Sequence, residues 1–227
     1  MTHTNHRRGE RESLEKDYII LSMVEKSNVS QYNYKEPYEK RVKKLLRICA
    51  RNNPVGLGNR TQDDRYRYMR YWEKKMDGGI HHMSTLGEVI NVENVDYICH
   101  AVYESRDDLE AVLRELKEED LGISIIVSGI FEEVKAACDE VGLEPHTLNM
   151  SLGTWGKTSL LPSSPVLEIC TMCGHGLISK NLVKQCLSRV ERKMMTAEEA
   201  AVELGKQCTC NVFNTERAVD IIKSAIS

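Results

Sequence analysis

Apolar residues recur at two spacings along the chain, and the change from one to the other divides the sequence. Between Pro37 and Arg51, Val42, Leu45, Leu46 and Cys49 fall at intervals of three and four with Lys and Arg between them. That spacing predicts a helix with one apolar face, stopping at Asn52-Asn53-Pro54. After a loop over Pro54 to Asn59, Asp63-Asp64 opens a second predicted helix, rich in Arg and Tyr, that runs to Asp77-Gly78-Gly79. Tyr18 to Val24 is a short apolar run that fits a strand or a helix start. From Ile80 onward, short β-branched runs alternate with charged amphipathic stretches, the sequence form of alternating strands and helices. Val95 to Tyr103 predicts a strand, and Arg106 to Asp120 a helix ending at Gly122. Ile123 to Val127 predicts a buried strand, Phe131 to Val141 a helix closed by Gly142, and Pro145 to Met150 a third strand.

The stretch Thr158 to Pro165, with Pro162, Ser163, Ser164 and Pro165, predicts a boundary. Past it, Val166 to Ile169 predicts one strand and the rest is helical. Ser179 caps a helix whose Leu182, Val183, Cys186, Leu187 and Val190 share a face. Thr196 with Glu199 forms a capping box opening a helix over Ala197 to Leu204, and Asn214 caps the last helix. The expected organisation is a mobile tail over residues 1–16, an α/β domain over 17–161 and a cysteine-flanked helical unit over 166–227. The fold class is α/β: a small β-α-β-α-β layer with basic N-terminal helices and a C-terminal cysteine-flanked unit.

Composition narrows the function classes. The 227 residues are 41% hydrophobic and 29% charged, with no apolar run near 18 residues, so a folded protein without a membrane span is expected. The first dozen residues carry a positive cluster with no apolar run behind it, which does not read as a signal peptide and points to the cytoplasm. Net charge is -3, yet residues 1–75 hold 18 Lys and Arg against 10 Asp and Glu, while the remainder holds 13 against 24. Within the basic third, Arg65 to Trp72 interleaves cations and rings, as single-strand nucleic-acid binders do. Read as a helix, Tyr68, Trp72 and Met76 instead form one stripe, a core face. The net acidity of the chain argues in the same direction, against nucleic acid.

The eight cysteines carry most of the chemical information, because a reducing compartment makes clustered thiols metal ligands or redox groups rather than disulfides. Cys49, Cys99, Cys138 and Cys186 stand alone in apolar surroundings and read as core. Cys170-Thr-Met-Cys173-Gly-His175-Gly and Cys208-Thr-Cys210 are two close pairs, 35 positions apart from Cys173 to Cys208. Two helices fill that gap and can fold back to bring the pairs together. Four thiolates from Cys170, Cys173, Cys208 and Cys210 suit a tetrahedral zinc or an iron-sulfur cluster. A redox dithiol and no ligation at all are the alternatives.

Around these pairs lie weaker candidates. His175 is placed to ligate, to donate a proton or to orient a ligand. His146 begins a run dense in small polar residues and glycine that ends a predicted strand, the form of a ligand-facing loop. Gly156-Lys157-Thr158 lacks the glycine and the following helix of a phosphate-binding P-loop, leaving Lys157 as a lone anion contact. Ser128-Gly129 sits at a strand-to-helix turn whose free amides could hold an anion. His81-His82 reads as an exposed loop pair.

The order of cysteine pair, short helix, Thr196-Ala-Glu-Glu-Ala-Ala-Val-Glu-Leu204, Gly205, cysteine pair and last helix resembles the [2Fe-2S]-binding helical domain of the bacterioferritin-associated ferredoxin type. The similarity covers about Val166 to Ile226, with the two pairs in reversed order. It implies Cys170, Cys173, Cys208 and Cys210 as cluster ligands in a unit that passes single electrons. Three functions follow as expectations. The first is an iron-sulfur redox protein of cytoplasmic, including anaerobic, metabolism, meeting a redox partner protein or a small-molecule ligand. The second is a metalloenzyme in which His146 and His175 act on a small substrate. The third is a zinc-stabilised interaction protein.

Overall fold

The computed structural model describes residues 7–23, 36–59, 67–71 and 84–226. Its elements in chain order are α1 (Arg11–Leu14), β1 (Tyr18–Met23), α2 (Tyr38–Arg51), β2 (Gly56–Asn59), β3 (Arg67–Met69), α3 (Leu86–Ile90) and β4 (Ile98–Tyr103). There follow α4 (Arg106–Glu119), β5 (Ser124–Ser128), α5 (Phe131–Val141), α6 (Ser164–Thr171), α7 (Lys180–Glu191), α8 (Ala197–Gly205) and α9 (Thr215–Ala225). Helices and a sheet in one chain bear out the α/β class. The sheet has the order β3-β2-β4-β1-β5, and every neighbouring pair in it is antiparallel.

That order follows from two crossovers laid into each other. β1 and β2 both run antiparallel to β4, so they point the same way and α2 joins them across it. β4 and β5 both run antiparallel to β1, and α4 joins them across β1. Each helix therefore bridges a gap that the other unit's strand fills, the split β-α-β arrangement. Side chains alternate between the faces: Tyr18, Ile20, Cys99, Ala101 and Tyr103 pack with α2, α4 and α5, while Ile19 and Val102 pack with α6 to α9. The result is a sheet between two helical layers, with the cysteine-flanked unit as one of those layers rather than a body apart.

Most helix ends obey local capping. Ser105, Ser179 and Asn214 accept from the amide three residues on, and Thr196 and Glu199 make the reciprocal box.

Five local expectations are corrected. Arg67–Met69 is a strand and not part of a helix, and most of the rest of that predicted helix, with Trp72 and Met76, lies outside the described residues, as does the loop pair His81-His82. The loop over Pro54 to Asn59 contains β2, whose Leu57 enters the core. The run Val166 to Ile169 is helical, because Pro165 sits in the first turn and Val166, Ile169 and Met172 return to one inward face. Residues 145–150 form no strand; Leu148 and Met150 are each 63% exposed. Finally, residues 7–16 are no mobile tail. Arg7 donates to Asp17 at 2.6 Å, Arg217 donates to the same carboxylate at 2.8 Å and to Ser13 at 2.9 Å, and the Arg8 amide bonds Thr171. The side chains of Asp17 and Arg217 are almost wholly buried, so the first residues lock α9 and α6 to the sheet.

Candidate metal centre

Two loops meet in the second helical layer. The first leaves α6 through Met172, turns at Cys173 with the Gly176 amide bonded to the Cys173 carbonyl at 3.0 Å, and passes Gly176 in a left-handed conformation before Ser179 caps α7. The second leaves α8 at Gly205, carries Cys208 and Cys210, and turns back at Asn211, whose φ is 56°.

The second loop is pinned to the sheet. Asn211 Nδ2 donates to the carbonyls of Leu57 at 2.9 Å and Tyr68 at 2.6 Å, and Arg67 Nη1 donates to the Cys208 carbonyl at 2.9 Å. The two glycines of β2 make room: a Cβ on Gly58 would stand 3.0 Å from Asn211 Cβ, and one on Gly56 would stand 3.3 Å from the Asn211 carbonyl oxygen. His100 pairs in register with Gly58 and so shares the face on which this loop lies; it is buried. Asn211 and His100 did not stand out in the sequence, and Arg67 did so only within the run Arg65 to Trp72, because pairing across β2, β3 and β4 is what brings them to the cysteines.

Three cysteines and one histidine gather here. Cys173 and Cys208 interact within one buried cluster, the sulfurs of Cys208 and Cys210 are 3.9 Å apart, and Cys210 Sγ lies 3.5 Å from His175 Nδ1. All three thiols are buried. The backbone amides of His175 and Leu177 favour the Cys173 thiolate, and the Val212 amide favours those of Cys208 and Cys210. The interaction with Cys208 and then burial push the Cys173 thiol well up. For Cys208 the interaction with Cys173 works downward, but that with Cys210 together with burial outweighs it and pushes the thiol up to about 12. Cys210 is lowered chiefly by its interaction with Cys208. Cys170 is the more exposed of the four. It sits half-buried in the last turn of α6, burial alone pushes its thiol up, and it lines a surface groove of about 410 Å3 with Cys173, Gly174 and Lys180.

The donor set fits a soft tetrahedral ion. With metal–sulfur bonds of about 2.3 Å and a metal–nitrogen bond of about 2.0–2.1 Å, tetrahedral angles put two sulfurs about 3.8 Å apart and a sulfur and a nitrogen about 3.5 Å apart. The 3.9 Å and 3.5 Å contacts match those separations. Among the described residues no group of three or more His, Cys, Asp or Glu is placed to hold a metal ion as it stands. Binding would therefore require the sulfurs to draw together as their protons are released.

The other sequence candidates lie elsewhere. His146 borders a cavity of about 520 Å3 with Arg41, Leu45, Leu116 and Leu121, in the layer on the opposite side of the sheet from the cysteines. His146 and His175 therefore do not converge on one cavity. Lys157 is exposed at the start of a short 3-10 turn over Thr158–Leu160. Ser128 ends β5 paired with Ile19, and a Cβ on Gly129 would meet Tyr18 at 2.9 Å and Val134 at 3.0 Å, so that glycine serves close packing. No family model, curated protein or solved structure matches the chain. No helix among the described residues is long and apolar enough to cross a membrane.

Proposed function

We propose that this chain is a metal-binding protein in which Cys173, Cys208 and Cys210 hold one soft metal centre at the junction of the α6–α7 and α8–α9 loops. The observation that carries the reading is the 3.9 Å contact between the Cys208 and Cys210 sulfurs inside a buried cluster. Two thiols 35 and 37 positions from a third gather there with no disulfide between them. The contact spacing favours a single tetrahedral ion, for which zinc is the matching metal.

A second reading keeps the iron-sulfur redox protein of cytoplasmic metabolism, with a redox partner protein or a small-molecule ligand meeting the groove beside Cys170 and Cys173. What favours it is the electrostatics. Backbone amides that favour the thiolate form of the three cysteines, with the buried Arg67 bonded to the Cys208 carbonyl, suit a centre that gains negative charge on reduction. When bound, zinc would supply folding free energy and iron a one-electron couple. The metalloenzyme reading that joins His146 to His175 finds no support, since the sheet lies between the two.

The test is anaerobic purification followed by metal and acid-labile sulfide analysis and a visible spectrum. A colourless protein with one zinc supports the first reading, and a brown one with iron and sulfide the second. A chain that retains neither metal, and takes up neither on reconstitution, overturns both.

A further inference from the structure

Resting on the metal-binding reading above, we infer that the fourth donor of the centre is His175, through Nδ1, and that Cys170 is a free thiol in the adjoining groove. The four-cysteine set suggested by the spacing of the two pairs is thereby replaced by three cysteines and one histidine, a set that tetrahedral zinc sites also use.

Geometry supplies the first argument. His175 Nδ1 is 3.5 Å from Cys210 Sγ, the separation expected of a nitrogen and a sulfur on one tetrahedral ion. The turn that brings it there passes through Gly176 at a φ of 68°.

The second argument is what restrains Cys170. It belongs to the last turn of α6, and the bonds on either side hold that turn closed. Thr171 Oγ1 donates to the Glu168 carbonyl at 3.1 Å and accepts from the Arg8 amide at 3.1 Å, and Glu168 itself faces Arg217 at 3.5 Å. Cys170 is thus fixed within α6, with its half-buried sulfur on the groove side.

Charge supplies the third. Four thiolates around a divalent ion leave two negative charges in a buried site, whereas three thiolates and a neutral imidazole leave one. Arg67 is buried and bonded to the Cys208 carbonyl, and its single charge balances the second set and not the first. Arg7 also reaches this loop, at the Val212 carbonyl, but its charge is already paired with Asp17.

The experiment is cobalt(II) substitution of the full chain, with affinity measured by competition against zinc. Thiolate-to-cobalt absorption scales with the number of coordinated sulfurs, so the unmodified protein should give the intensity of three. Cys170→Ser should leave intensity and affinity unchanged. His175→Ala should weaken zinc binding by more than the roughly 10–100-fold that follows loss of a group merely orienting a ligand. His175→Cys should bind again, with intensity raised by about a third as three thiolates become four. Four-thiolate intensity that drops in Cys170→Ser and is untouched in His175→Ala overturns the inference while leaving the metal reading intact. Failure of the unmodified protein to bind cobalt, or full binding in Cys173→Ser and Cys208→Ser, removes the metal reading and the inference with it.

Discussion

Gly58 and Asn211 are in contact across 153 positions of chain, and the absence of a side chain on the first is what lets the second dock. A Cβ at Gly58 would lie 3.0 Å from Asn211 Cβ, so β2 can carry no side chain where the Cys208–Cys210 loop settles. Gly58→Ala should therefore lower stability by about 1–3 kcal/mol through overpacking and weaken metal binding as the loop lifts. Gly87 is the control. A methyl there would have Thr85 Oγ1 as its nearest neighbour, at 3.9 Å, inside α3, so Gly87→Ala should be neutral or gain up to about 1 kcal/mol. Urea unfolding of both variants checks this, and equal stability changes would contradict the docking argument.

Asp17 accepts from two arginines, Arg7 and Arg217, and from Asn214 at 3.1 Å. Its side chain is wholly buried, as Arg217's nearly is, so removing the carboxylate strands positive charge in the core. Asp17→Ala should destabilise the fold by about 3–5 kcal/mol, read from chemical denaturation. A loss below about 1 kcal/mol, the value of an exposed pair, would mean that the N-terminal residues are not the clasp described.

Cys49 and Cys99 are fully buried on the face away from the cysteine pairs, and burial pushes each thiol up to about 12. In the unfolded chain a thiol ionises near 8.5. Above that pH the unfolded state binds fewer protons than the folded one, so stability falls as pH rises. The contribution is fully present below about pH 8.5 and is lost on the way to pH 12, at about 1.4 kcal/mol per pH unit for each thiol. Cys49→Ala should lower stability at pH 7 by cavity formation, yet flatten its decline between pH 9 and 11 by about that slope. Denaturation curves across this range with an unchanged slope would contradict a buried neutral thiol.

The sequence revealed the fold's helices better than its strands, for physical reasons visible at particular residues. α2, α4, α5, α7, α8 and α9 were legible because three-and-four spacing and local caps such as Thr196 with Glu199 are written within one segment. β3 was not, although Arg67-Tyr68-Met69-Arg70 alternates with period two. The competing stripe through Tyr68, Trp72 and Met76 satisfies helical spacing equally, and only pairing with β2 decides between them. Residues 145–150 failed in the opposite sense: Leu148 and Met150 alternate like a strand, but no neighbouring strand pairs with them. At the site, the two cysteine pairs were legible from spacing. The partial exposure of Cys170 beside three buried cysteines was not, since it depends on α6 extending through Thr171 under the hold of Arg8 and Arg217.

The most direct measurement is metal stoichiometry in five purified proteins: the unmodified chain, Cys173→Ser, Cys208→Ser, Cys49→Ser and Cys138→Ser. Only sulfurs that meet can share an ion, and Cys173 and Cys208 meet in the second layer, whereas Cys49 and Cys138 belong to the first. The account predicts one equivalent of centre in the unmodified chain and in the Cys49 and Cys138 variants, and a sharp loss in Cys173→Ser and Cys208→Ser. Equal content in all five, or none in any, would contradict it.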